Sequence, residues 1–74
     1  MTKDNPLYFT IETEQEDDGR WIAEVLEISG VLVYSTSQQQ AIANVQALAL
    51  RVIADKLKYG EIDLGLTSFE FVTA

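Results

Sequence analysis

Glu12-Thr13-Glu14-Gln15-Glu16-Asp17-Asp18-Gly19-Arg20-Trp21-Ile22-Ala23-Glu24-Val25 decides the fold, because it carries one turn and both of the strands that flank it. If Glu16 pairs with Arg20, the loop is Asp17-Asp18-Gly19, a type I turn closed by a glycine in the left-handed region as a G1 bulge. That turn sets Ile11 opposite Val25 and Glu12 opposite Glu24. Side chains alternate along a strand, so Phe9, Ile11 and Thr13 share one face with Trp21, Ala23 and Val25. Glu12, Glu14, Ile22 and Glu24 fall on the other. A slip of one residue would drive Glu24 against Ile11 on the buried side, and the pattern rejects it.

Outward from this hairpin, Tyr8–Gln15 reads as the first strand and Arg20–Leu26 as the second. Residues 1–6 are polar and read as a tail ending at Pro6. Glu27-Ile28-Ser29-Gly30 is a short connection to a third strand, Val31–Ser35. The period then changes. Ser37 with Gln40 three positions on forms a capping box, and Ile42, Val45, Leu48, Ala49, Val52 and Ile53 recur at helical spacing. Gly60 is a stop signal, and Lys56 and Lys58 suit the negative end of the helix dipole. The spacing predicts one helix over 38–59. Glu61–Leu66 reads as irregular and Ser68–Val72 as a last short strand. The predicted class is α+β, in the order β-β-β-α-β, with one helix on one face of a small, mostly antiparallel sheet and a right-handed crossover.

The helix carries a second stripe, Ala43, Ala47, Leu50, Ala54 and Leu57. It reads either as the flank of the core or as an oligomer contact. A chain of 74 residues buries barely enough apolar surface to offset its ordering entropy. A homo-oligomer or an obligate partner is therefore expected.

Composition narrows the chemistry. The chain has no Cys and no His, which removes disulfides, thiol nucleophiles, imidazole bases and nearly every ordinary transition-metal site. The hydroxyls of Ser29, Ser35, Thr36 and Ser37 have no base to activate them. Neither a phosphate-cradling glycine loop nor the ligand spacing of a calcium-binding loop is present. No cofactor is expected, and no enzyme. Five basic against 12 acidic residues give a net charge of −7, so direct nucleic-acid binding is not expected, while a basic protein partner is. The absence of cysteine and of an apolar leader or membrane span fits a cytoplasmic protein.

The concentrated chemistry is carboxylate. Glu12, Glu14 and Glu24 read as a solvated acidic face, as a docking surface for a basic partner, or as a metal or acid–base cluster. Opposed like charges cost roughly 0.2–1 kcal/mol across a strand pair, which a basic partner would relieve.

Asp18-Gly19-Arg20-Trp21-Ile22-Ala23-Glu24-Val25, followed by Glu27-Ile28-Ser29-Gly30-Val31 and by Ser37-Gln38-Gln39-Gln40-Ala41-Ile42, resembles the HicB-like antitoxin family over about residues 9–60. The shared pattern is an acidic hairpin tip, Gly, an aromatic-plus-aliphatic strand, an acidic-aliphatic-Gly stretch, a third strand, and a helix opened by a hydroxyl residue. The resemblance implies one HicB-like domain over 1–74 with a partial RNase H-like fold and strand order 3-2-1-4. It also implies an oligomer that neutralises a small basic, RNA-cleaving HicA-like toxin by protein–protein contact. An orphan self-assembling domain of the same family, structural in role and without a toxin, is the alternative. Leu26 and Ser29 replace the two prolines of the family loop, and Gln38 and Gln39 stand where acidic residues are common. Many relatives of that type continue into a DNA-binding domain. This chain stops at Ala74, so operator binding is not expected.

Overall fold

A computed structural model describes residues 7–61 and 69–74. The tail over 1–6, most of the irregular segment and Ser68 lie outside the described residues. Four strands and one helix follow in the order β1 (Leu7–Gln15), β2 (Trp21–Val25), β3 (Leu32–Ser35), α1 (Gln38–Lys58) and β4 (Phe69–Thr73). The molecule is α+β, as expected, and each strand or helix end lies within two residues of its expected position.

The β1–β2 register is the one the turn dictates. Ile11 lies opposite Val25, Glu12 opposite Glu24 and Thr13 opposite Ala23. The Glu16 N–H donates to the Arg20 carbonyl at 2.7 Å and the Gly19 N–H to the Glu16 carbonyl at 2.9 Å. Gly19 sits at φ 92°, a conformation that a side chain resists. Asp18 Oδ1 accepts from the Arg20 N–H at 3.0 Å, and the two side chains pair at 2.8 Å. The Asp18 carboxylate at the tip thus serves the turn itself.

The sheet order is β3-β2-β1-β4, the order implied by the resemblance. β1 pairs antiparallel with β2 and parallel with β4, and β2 pairs antiparallel with β3. β3 and β4 therefore run the same way at opposite edges, with α1 as the connection between them.

α1 begins where Ser37 Oγ accepts from the Gln40 N–H at 3.1 Å. Only this half of the expected capping box forms. The Gln40 side chain instead turns forward and donates its amide to Asn44 Oδ1 at 2.9 Å, one helical turn on. At the other end Gly60, at φ 72°, donates to the Leu57 carbonyl, and the Glu61 N–H donates to the Lys56 carbonyl at 2.7 Å. These two bonds are a Schellman closure.

Phe9, Ile11, Ala23, Val25, Ile28, Val31, Ala41, Val45, Ala49 and Ile53 form the buried cluster. α1 lies over β2 with β3 and β1 to either side. Its buried line is Ala41, Val45, Ala49 and Ile53, while Ile42, Leu48 and Val52 flank it. Ile28 and Val31 in the β2–β3 region close one end of the core. Phe69 packs edge to face on both Phe9 and Phe71 with centroids 5.5 Å apart, a favoured aromatic geometry, and Phe9 and Phe71 meet at a tilt with centroids 6.0 Å apart.

Candidate functional site

The sheet face away from α1 gathers the even-numbered residues of β1 and their neighbours. Glu12 and Glu24 are cross-strand partners, and Glu14 lies opposite Ile22. With the Thr13 backbone between them, these residues line a surface depression of about 280 Å³. The three carboxylates singled out in the sequence are therefore brought together and all are exposed. Among the described residues no group of three or more carboxylates is placed to hold a metal ion.

Four further features of this face were not read from the sequence. Leu32 pairs with Glu24, and Tyr34 with Ile22, so two exposed apolar residues border the acidic patch, at 39% and 46% exposure. The Arg20 guanidinium lies over the Tyr34 ring, 4.7 Å from its centroid, a cation–π contact that joins hairpin tip to edge strand. Glu70 of β4, opposite Tyr8, puts a fourth carboxylate on the same face. Leu32 and Tyr34 escaped the sequence reading because Val31–Ser35 is apolar at almost every position and so shows no alternation.

The fourth feature, Glu27, looked like part of a plain connection. Leu26 donates its N–H to the Thr10 carbonyl at 3.0 Å, the last rung between β1 and β2. The chain then turns away, and the Glu27 carboxylate takes the place of the missing strand. Its Oε1 accepts from the Thr10 N–H and its Oε2 from the Thr10 hydroxyl, both at 2.7 Å. The hydroxyl first and the N–H second hold this carboxyl below its ordinary value of 4.5. A carboxyl lowered on folding stabilises the fold above its unfolded pKa, and that contribution disappears as pH falls through the folded value. Glu27→Gln is therefore expected to lower the urea midpoint at neutral pH, and the difference should shrink as pH falls through the folded value of the wild-type carboxyl. Asp18, also lowered, by the Arg20 N–H and then its guanidinium, is common to both proteins and cancels. A difference that did not shrink would show that the latch does not depend on charge.

The second helix stripe divides. Ala43, Ala47, Leu50 and Ala54 are exposed, Leu50 by 47%, whereas Leu57 packs partly against the core. No described helix is long and apolar enough to cross a membrane. Comparison with known proteins finds no matching family model, no matching curated protein and no matching solved structure.

Proposed function

We propose that this chain is a HicB-like antitoxin-type protein of the cytoplasm, which acts by binding and not by catalysis. Its partner would be a small basic HicA-like toxin that cleaves RNA. The observation that carries this reading is the pairing of Glu12 with Glu24, beside Glu14, on a sheet face the helix leaves open. Opposed carboxylates are a standing electrostatic cost, and a cationic partner surface removes it. The flanking Leu32 and Tyr34 offer the apolar contact that a purely charged patch lacks.

Recovery of the tagged protein from its native host at low salt should bring down a small basic protein in equimolar amount. Expressed alone that protein should arrest growth, and co-expression of this chain should restore it. Combined Glu12→Gln, Glu14→Gln and Glu24→Gln substitution should weaken binding about tenfold or more at low salt, with no loss of fold because like-charge repulsion is relieved. Unchanged affinity would remove this face from the interface.

The exposed line Ala43, Ala47, Leu50 and Ala54 supports the alternative, an orphan domain that assembles with itself and has a structural role. Recovery of its own copies alone, with no basic protein, would favour that reading.

A further inference from the structure

We infer that two copies of this chain join through the open edge of β3, in antiparallel register about Val33, to make one continuous sheet. The inference is independent of the toxin-binding reading. β3 is an edge strand, and its pairing with β2 fixes which of its backbone groups are free. The Val25 N–H donates to the Val31 carbonyl at 3.0 Å, and Ala23 lies opposite Val33. In an antiparallel ladder hydrogen-bonded positions alternate, so Val33 turns its N–H and C=O towards β2. Leu32 and Tyr34 turn theirs outward.

Sheet edges are ordinarily guarded by charge, proline or a bulge. This one is not. No Asp, Glu, Lys or Arg occurs between Glu27 and Arg51, a stretch that includes all of β3 and the first half of α1. The other edge, β4, carries Glu70.

Charge also selects the occupant. In a chain of net charge −7, copies repel wherever acidic surfaces meet, and this strand without carboxylates is where they can approach. A basic partner finds no carboxylate on β3 to pair with and is drawn to the β1–β2 face instead. With a two-fold axis at Val33, Leu32 of one copy stands opposite Tyr34 of the other. Both cross-strand pairs are then apolar on the outer face, and both exchange backbone hydrogen bonds. Glu24 is the cross-strand partner of Leu32 on that face. Three strand spacings and a two-residue offset along the strands would put the two Glu24 residues roughly 16 Å apart, beyond the Debye length of about 8 Å at physiological salt. The symmetry is closed, so the pairing ends at two copies.

Leu32→Lys places a charge at the seam, beside Glu24 of its own chain, at a position already exposed. Sedimentation should give a dimer for the wild type, and a rise of about tenfold or more in its dissociation constant for this variant. Hydrogen exchange supplies the residue-level readout. The Leu32 and Tyr34 amides should be protected in the wild type and lose protection in the variant, while Val33 and Ser35, bonded to β2, stay protected in both. Retained Val33 and Ser35 protection also shows that the variant is folded. A monomeric wild type, or a dimer with freely exchanging Leu32 and Tyr34 amides, would overturn the proposal. Because Glu12, Glu14 and Glu24 lie off the seam, their Gln substitutions should leave the dimer intact whether or not a toxin is bound.

Discussion

Ile11→Ala should remove a large part of the stability of this domain. Ile11 is completely buried in β1, opposite Val25, which is itself 1% exposed. Truncation forfeits the transfer energy of the lost carbons and leaves a cavity that a strand paired on both sides cannot close, about 2–5 kcal/mol in comparable cores. A domain of this length holds only about 4–11 kcal/mol in total. The melting temperature should therefore fall by roughly 10–40 °C, since each kcal/mol shifts a domain of this size by about 4–8 °C. Glu14→Ala, on the opposite face of the same strand, should stay within about 0.5 kcal/mol. Equal effects at the two positions would contradict the assignment of faces.

Ala49→Leu should destabilise by about 1–3 kcal/mol through overpacking. Ala49 and Ala23 are both fully buried in the cluster between α1 and the sheet, and their small side chains let the helix lie close over β2. Added carbons must push the helix outward or force neighbours off their rotamers. Ala47→Leu, two positions away and exposed, should change monomer stability little. Urea titration of the pair distinguishes the two alanine lines. If Ala49→Leu were neutral, the helix would not be seated as closely as the buried alanines indicate.

The hairpin was legible because three independent signals agreed there. Gly19 supplies the only residue at ease in the turn, Glu16 and Arg20 define its ends, and alternation forbids a slipped register. The core face of α1 was legible for Val45, Ala49 and Ile53, where helical spacing is regular. Ala41 was missed because an alanine in the first turn looks the same on either face. Ile28 was missed because a connection carries no periodicity to reveal burial, and Val31 because the third strand is apolar at almost every position. The capping box was half legible, since sequence spacing places Gln40 within reach of Ser37 but says nothing of Asn44 competing for it.

The candidate site was legible to the same extent. Glu12, Glu14 and Glu24 follow from the hairpin register alone. Leu32, Tyr34 and Glu70 join them only when β3 and β4 take their places in the sheet, and those pairings bridge residues distant in the chain. Glu27 gains its role from Thr10, which lies 17 positions away.

By itself, then, the sequence determined the turn, the hairpin register, the helix and its main buried line, because local backbone preference and side-chain period act over a few neighbouring residues. Tertiary structure alone decided the partners of the outer face, the Glu27 latch and the open groups of the β3 edge. Each depends on which strands meet in space, and an apolar strand such as Leu32–Ser35 carries no local signal of which of its sides will be paired.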